Sequence, residues 1–320
     1  MPSNNMGPRT RVGQAHYIAP LEETPVDEID KLDESVKARS TWADAWDSMR
    51  RRPMFWISSV LILIILLVAA FPQLFSPFSP TFCELKFSNQ GPQAGHPLGF
   101  TRQGCDVYAR IIFGAQASVT VGVLATLLVA VFGGIVGALA GFYGGVFDAI
   151  VSRVGDIFFA IPTVLGAIVL MSVLPVRSAA TVALVLALFA WPQIARIMRG
   201  AVLTARNSDY VMASIALGVT KFKILVRHVI PNAIAPVIAV ATVSLGIFIV
   251  AEATLSFLGV GLPPTVMSWG NDIGQARTSL RTEPQVLLFP SAALSITVLS
   301  FLMLGDVVSD ALDPKERARR

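Results

Sequence analysis

Long uncharged stretches constrain the fold of this chain more than any other feature. Residues 115–147 include no charged side chain, and another apolar run begins at Phe55. A helix crosses a bilayer with roughly 20 apolar residues, so such runs are typical of membrane spans. With 54% hydrophobic and 14% charged residues and a mean hydropathy of +0.65, the chain is also too apolar for a soluble domain of its length. We therefore expect an all-α polytopic membrane protein.

The apolar runs predict six membrane spans. The first run is too long for a cleavable signal and is expected to remain as an anchor. Gly133, Gly137 and Gly141 stand four apart on one helical face, which favours close packing of the second span inside the bundle. The predicted spans are residues 55–71, one span within 115–147, 157–174, 178–194, 231–257 and 286–304, with possible kinks at Pro162, Pro192, Pro236 and Pro290.

The rest of the chain divides around these spans. Residues 1–40 carry many acidic residues among prolines and predict a disordered cytoplasmic tail. In residues 41–53, tryptophans recur at helical spacing before three arginines, which predicts an amphipathic interfacial helix; a frayed basic linker is the alternative. Residues 54–320 form the predicted transmembrane domain, with external loops 72–114 and 258–286 and a cytoplasmic loop 195–231.

The distribution of basic residues predicts the orientation. Cytoplasmic N- and C-termini leave only six basic residues outside: Lys86, Arg102, Arg110, Arg177, Arg277 and Arg281. The cytoplasmic side then holds Arg50, Arg51, Arg52, Arg153, Arg196, Arg199, Arg206, Lys221, Lys223, Arg227 and the basic residues of 315–320. This asymmetry satisfies the positive-inside rule and places the loop around Gly218 in the cytoplasm.

That loop has the pattern of two short helices separated by a glycine. Val211, Met212 and Ile215 share one helical face behind a possible cap at Asp209, and Gly218 is suited to end the helix. A second helix is predicted from Thr220, with an apolar stripe of Phe222, Leu225, Val226 and Val229 and with Lys221, Lys223 and Arg227 at the cytoplasmic surface, before Pro231 opens the next span. A rigid helix, turn and helix can dock into a groove on a soluble partner.

Ala213, Gly218 and Pro231 resemble the coupling motif of importer-type ABC permeases. The match is partial, because Met212 replaces the Glu of the family, Ser214 its second Ala, His228 an Ile and Ile230 a Leu. Residues 227–232 resemble the variant found in the C-type membrane subunit of dipeptide and oligopeptide importers. The resemblance covers residues 41–317 and implies a type I permease fold. It also implies that ATPase subunits bind Asp209, Tyr210, Met212, Ala213, Ser214, Gly218, Lys221, Phe222, Arg227 and Pro231; an ordinary amphipathic loop is the alternative.

The predicted external loops carry further resemblance. Residues 96–118 resemble the lead-in of the family to its second span, and Cys83 and Cys105 both lie in this loop. We expect a disulfide between them, two free thiols being the alternative. Residues 255–289 resemble the loop before the last span, where an external solute-binding protein would dock on Pro263, Pro264, Trp269, Gly270 and Asn271. A packed structural lid is the other interpretation, and the two are compatible.

Few charged residues fall near the predicted spans. Glu252 lies near the outer end of the fifth span, and Arg153 and Asp156 lie near the inner end of the third. A proton relay is conceivable, but structural pairing is the preferred interpretation because no series of carboxylates connects these residues. Asp306 and Asp310 resemble the C-terminal signature of the family and are expected to cap or anchor the last helix.

The sequence lacks the motifs of ATP binding, zinc binding and nucleophilic catalysis. No phosphate-binding loop, zinc-ligand spacing or nucleophile elbow is present, so we expect a non-catalytic subunit that binds no cofactor or metal, with ATP and Mg on partner subunits. The net charge of +4 follows from topology and requires no nucleic acid partner.

The resemblance and the residues together predict a permease subunit of an ATP-driven importer of di- and oligopeptides in the bacterial inner membrane. It would form half of the pathway with a homologous second permease, and would work with two cytoplasmic ATPase subunits or one fused ATPase and with an external solute-binding protein. A permease for nickel chelates or glutathione is the near alternative. An ion-coupled secondary transporter and a non-transporting scaffold are more distant ones.

Overall fold

The computed structural model describes residues 41–312, and the predicted acidic tail at 1–40 lies outside the described residues. The described part is helical. Its helices are α1 (Thr41–Arg50), α2 (Pro53–Ala70), α3 (Pro72–Phe75), α4 (Val107–Tyr143), α5 (Gly145–Phe159), α6 (Thr163–Val173), α7 (Ala179–Arg206), α8 (Asp209–Ala216), α9 (Lys221–Ile224), α10 (Ile230–Ala233), α11 (Ala235–Phe257), α12 (Trp269–Ala276) and α13 (Gln285–Leu312).

Five of these helices are long and apolar enough to cross a membrane: α2, α4, α7, α11 and α13. The predicted third span, residues 157–174, is not one continuous helix. Instead, α5 and α6 meet at a bend of 82° and count as a sixth span only when taken together. Pro162 lies at the break, where proline has no N–H for the helical ladder and disfavours helical backbone at Ile161. The fold class is therefore confirmed, with five or six candidate spans.

Several helices extend beyond their predicted bounds. Helix α4 begins at Val107 rather than near Ala115, because the Asp106 carboxylate accepts a hydrogen bond from the Ala109 amide at 2.9 Å and caps the helix. Residues 107–114 therefore belong to a helix and not to a loop. Helix α7 continues to Arg206 and α13 to Leu312, both without a break at their internal prolines.

The centre of the bundle is the contact between α4 and α7, the most extensive helix pair of the described chain. Gly133, Gly137 and Gly141 all face α7, each against a backbone carbonyl one turn further along that helix. A Cβ added at Gly133 would lie 2.7 Å from the Trp191 oxygen, and one at Gly141 would lie 2.8 Å from the Arg199 oxygen. Glycine spacing thus allows the two backbones to approach closely, as predicted.

The remaining spans surround this pair. Helix α11 packs on α4, α7 and α13, and α2 packs on α13 and α4 at the periphery. Most large apolar side chains of α2 are exposed in the isolated chain, as expected for a surface that meets lipid. Helix α1 packs against the end of α13, where Arg52 and Asp310 form an ion pair at 2.5 Å. Asp310 therefore anchors the last helix to the first span.

Candidate functional site

The segment between α7 and α11, residues 208–234, has the helix, glycine turn and helix that the pattern predicts. Helix α8 ends at Gly218, whose φ of +75° lies in the left-handed region. The Gly218 amide donates to the Ile215 carbonyl at 3.0 Å, and the Val219 amide donates to the Ser214 carbonyl at 3.1 Å. These two bonds form a Schellman motif, which satisfies the last carbonyls of the helix and turns the chain sharply. We call residues 208–234 the α8 segment.

The start of α8 differs from the prediction. Asp209 is the first helical residue rather than the cap, and Ser208 occupies the cap position. The Ser208 hydroxyl does not cap the helix but donates to the Ala205 carbonyl at 2.6 Å, which ties the segment to the end of α7. Asp209 remains favourable in the first turn, where a carboxylate complements the helix dipole.

Five apolar side chains anchor the α8 segment in the main core. They are Val211, Ile224, Leu225, Val229 and Ala233, each at most 1% exposed. Because these anchors come from both halves of the segment, the turn at Gly218 is held rigidly on the bundle.

The predicted apolar stripe of the second helix is partly wrong. Phe222 and Val226 are exposed, whereas Ile224, which the pattern did not include, is fully buried. A π-helical turn at Leu225–Val229 explains the difference. The extra residue in this turn rotates the buried face relative to a regular helix, and Pro231 follows immediately without an N–H to continue the ladder.

The opposite face of the segment exposes a group of large apolar side chains. Met212 is 61% exposed, Leu217 83% and Phe222 66%. Lys221, Lys223 and Arg227 of the same segment are exposed as well. Several large exposed apolar side chains in one short segment favour a protein interaction site. Leu217 was missed by the sequence analysis, although its position just before a helix-ending glycine favours the solvent side.

The ten residues predicted to bind ATPase subunits all lie in the α8 segment, and nine of them are on its surface. The exception is Ser214, which is half-buried and donates to the Tyr210 carbonyl at 2.8 Å. Beside this surface lies an open cavity of about 640 Å³ between the ends of α1, α7, α11 and α13. Its lining includes Trp42, Tyr210, Pro231, Asn232 and Leu312.

The other predicted site, around α12, is mostly buried. Trp269 is 3% exposed and donates from Nε1 to the Ile111 carbonyl at 3.0 Å. Asn271 donates to the carbonyls of Pro263 and Val266 at 2.9 and 3.0 Å. A Cβ at Gly270 would lie 2.5 Å from the Ala253 oxygen, so α12 rests directly on the α11 backbone. These contacts show a packed lid.

Of the five residues predicted at the α12 loop, only Pro264 is exposed. Pro263 is half-buried, and the other three are buried. Docking of a binding protein at this loop stays a prediction, and the surface available for it is the Pro263–Pro264 turn rather than the tryptophan triplet.

A buried ion pair joins α12 to α4. Arg110 donates from Nε to the Asp272 carboxylate at 2.9 Å, with a second contact from Nη2, and both side chains are at most 9% exposed. Burial raises the pKa of the Asp272 carboxyl, and the Arg110 guanidinium opposes that shift. Neither residue was singled out by the sequence pattern, because the two partners are far apart in the chain.

A disulfide closes the loop before α4. Cys83 and Cys105 are bonded, and His96 pairs with Asp106, the residue that caps α4. The aromatic rings of Phe87 and Phe100 stack at 4.8 Å within the same loop. The disulfide, the His96–Asp106 hydrogen bond and the aromatic contact together fasten this loop to the start of α4.

Arg153 and Asp156, the charged residues predicted near the inner end of the third span, are paired, whereas Glu252 is not. Arg199 contacts Asp148 at 2.5 Å, and Asp156 lies 3.2 Å from Arg196 and 3.7 Å from Arg153. Glu252 instead has no basic partner within residues 41–312 and is fully buried, so structural pairing does not hold for this residue. Residues 41–312 also contain no group of His, Cys, Asp or Glu arranged to hold a metal ion.

Comparison with known proteins identifies the family. The binding-protein-dependent transport system inner membrane component matches residues 133–318, and the N-terminal TM domain of oligopeptide transport permease C matches residues 40–92. The chain is 35% identical over 283 residues to the oligopeptide transport system permease protein OppC of Bacillus subtilis, covering 88% of this chain and 92% of that protein.

Two glutathione transport system permease proteins GsiD are similar to the same extent. The GsiD of Pectobacterium atrosepticum is 32% identical over 284 residues, covering 88% of this chain and 93% of that protein. The GsiD of Escherichia coli O1:K1 is 33% identical over 280 residues, covering 87% and 92%. Together with the apolar helices, these matches show that the chain belongs to the inner membrane components of binding-protein-dependent transport systems, as a multi-pass ABC importer permease of the OppC and GsiD type in bacteria.

Proposed function

We propose that this chain forms half of the membrane pathway of an importer for di- and oligopeptides and that its α8 segment receives the movement of cytoplasmic ATPase subunits. Membership of the family implies ATPase and binding-protein partners. The match of residues 40–92 to the oligopeptide permease N-terminal domain favours peptides as substrates. Glutathione is the second candidate, because two similar relatives are glutathione permeases.

Charge supports a cytoplasmic position for the α8 segment. The cavity lining brings α1, the end of α13 and the α8 segment to one end of the bundle. Arg50, Arg51 and Arg52 end or follow α1 at that end, and Lys221, Lys223 and Arg227 of the segment are exposed. The positive-inside rule places such an end in the cytoplasm, where ATPase subunits are found.

The observation that carries the proposal is the division of the α8 segment into a buried and an exposed face. The buried anchors join the segment to α7 and α11, while Met212, Leu217 and Phe222 remain free to enter a groove on a partner. Force applied at these side chains would therefore be transmitted to two spanning helices. ATP can drive the change only if it binds the two states with unequal affinity, which requires contacts that differ between them.

Replacement of Leu217 by serine tests this docking role. The variant should retain less ATPase subunit on co-purification of the complex, because the side chain most exposed on the docking face is lost. Leu85 is 79% exposed in the loop that the disulfide closes, at the other end of α4, and Leu85→Ser is the matched control. Retention that is equal in the two variants would contradict the proposal.

The number of candidate spans supports the need for a second permease subunit. Five or six candidate spans without an internal repeat supply one half of a pathway, so a homologous permease would supply the other. Cross-linking in intact membranes should give a product that contains this chain and a second membrane subunit. A product that contains only two copies of this chain would replace the heterodimer by a homodimer.

Energy source and substrate are tested in reconstituted vesicles. Uptake should require ATP and the binding protein, and uptake that instead follows a proton gradient without ATP would indicate a secondary transporter. Competition by unlabelled di- and oligopeptides should reduce the uptake of a labelled peptide. Stronger competition by glutathione than by any of these peptides would favour the second candidate.

A further inference from the structure

Glu252 is a buried acidic residue to which the transport mechanism above gives no role. It lies on α11, is 0% exposed, and its Oε2 atom has no hydrogen-bond partner among the described residues. Its Oε1 atom accepts a hydrogen bond from the Ser256 hydroxyl at 2.7 Å. A carboxyl group without a cation in such a place is costly to bury, so a specific role is expected of it.

Three serine residues lie around this carboxyl, one from each of the three helices that meet there. Ser256 follows one turn later on α11, Ser118 lies on α4, and Ser268 is the N-cap of α12. Ser118 and Ser268 flank the carboxyl, and all three serines are at most 3% exposed. The Glu252 carboxyl thus lies where α4, α11 and the start of α12 meet.

Each serine oxygen also holds one backbone amide of the lid. The Leu262 amide donates to Ser256 at 3.1 Å, the Trp269 amide to Ser118 at 3.3 Å, and the Asn271 amide to Ser268 at 3.2 Å. A hydroxyl that accepts from an amide still has its own proton to donate. The Glu252 carboxyl accepts the proton of Ser256, and Ser118 and Ser268 lie beside it with hydroxyl protons of their own to donate.

We propose that Glu252 is a positioning residue that keeps α12 seated across α4 and α11, and that its release from the serine hydroxyls accompanies opening of the pathway at the α12 end. Elsewhere in this contact, two glycines of α12 rest on the α11 backbone, Gly270 on Ala253 and Gly274 on Phe257. Trp269 and the Arg110–Asp272 pair also hold α12, so the Glu252 contact is one of several that opening must release. The link to pathway opening rests on the proposed transport function, whereas the seating of α12 does not.

An introduced thiol measures the position of α12. The chain has two cysteines and both are in the disulfide, so Ala276→Cys creates a single reactive thiol. Ala276 is 5% exposed and packs between Val107 and Val286 while α12 is seated. The rate of maleimide labelling, measured on the intact complex in nanodiscs without ATP, therefore reports how often α12 lifts.

Substitutions of Glu252 in the Ala276→Cys background separate hydrogen bonding from packing. Glu252→Leu fills the volume but removes the acceptor, and it should raise the labelling rate about tenfold, in line with the loss of a buried hydrogen bond. Glu252→Gln keeps one oxygen for Ser256 and can donate to the other hydroxyls, so its rate should stay within about threefold of the background. Background labelling in Glu252→Leu, or equally fast labelling in Leu and Gln, would overturn the proposal.

Three further measurements complete the test. If the Glu252→Leu complex does not assemble, Ser256→Ala removes the direct hydrogen bond and should also speed labelling, whereas a background rate there overturns the proposal. Leu217→Ser, which tests ATPase docking, should leave the labelling rate unchanged. A failure of ATPase docking is thereby distinguished from a failure of the proposed role of Glu252 in seating α12. In Glu252→Leu, ATP hydrolysis without binding protein should rise relative to the stimulated rate; an unchanged ratio overturns the link to pathway opening alone.

Discussion

Replacement of Gly137 by alanine should separate the two central helices of the bundle. An added Cβ would lie 2.8 Å from the Ala195 Cα and 2.9 Å from its carbonyl carbon, and still closer to the carbonyl oxygen. Carbon atoms in contact prefer about 3.5 Å or more, so α4 and α7 must move apart by roughly 0.7 Å or distort locally. The obstacle is backbone, which cannot rotate away, and overpacking of this kind costs about 1–3 kcal/mol.

Gly134 on the same helix provides the control. A Cβ there meets no atom within 4 Å, so Gly134→Ala brings only the gain of about 1 kcal/mol in helix propensity that both variants share. The difference between the two variants in detergent-induced unfolding, followed by circular dichroism of the purified chain, should therefore equal the overpacking cost of about 1–3 kcal/mol. Equal unfolding midpoints, or a less stable Gly134→Ala variant, would refute the close approach of α4 and α7.

Three further predictions concern the turn, the buried pair and the disulfide. Gly218→Val should loosen the end of α8 by about 1–2 kcal/mol because of its positive φ, and reduce ATPase retention on co-purification, whereas Gly218→Asn should retain more; equal retention would contradict this. Arg110→Met leaves the Asp272 carboxylate unpaired and should cost about 3–5 kcal/mol in unfolding experiments, most of which Asp272→Leu should restore in the double variant. Reductant should lower the stability of the wild-type chain by about 2–4 kcal/mol but leave a Cys83→Ser/Cys105→Ser variant unchanged, and an effect on both would exclude the disulfide as its target.

The general architecture could be predicted from sequence because membrane insertion depends on local composition. A run of apolar residues is favoured in lipid wherever it occurs, so the fold class and the spans at α2, α4, α7, α11 and α13 follow from hydropathy. The positions of Gly133, Gly137 and Gly141 are also informative by themselves, since a row of small residues in a span has few other uses. The bend between α5 and α6 was only suggested, because a proline is compatible with either a kink or a break.

The details of the α8 segment depended on structure. Helical periodicity assumed a regular helix after Thr220, but the π-helical turn changed which side chains are buried, so Phe222 and Val226 became exposed and Ile224 became an anchor. For the tryptophan triplet at Trp269, the sequence left a docking surface and a packed lid both open, and only tertiary packing shows that the triplet is buried.

By itself, the sequence determined that this chain is a helical membrane protein of the importer permease type, and that Gly218 ends a helix in the loop between two spans. The helical membrane class rests on apolar composition, the helix end rests on the backbone freedom of glycine, and the importer permease type rests on the resemblance of residues 41–317 to that family. The tertiary structure alone decided the partners of Glu252 and Arg110, because those partners lie on other helices. Hydrogen bonds and ion pairs of this kind form only when packing brings distant segments together, and no local pattern encodes them.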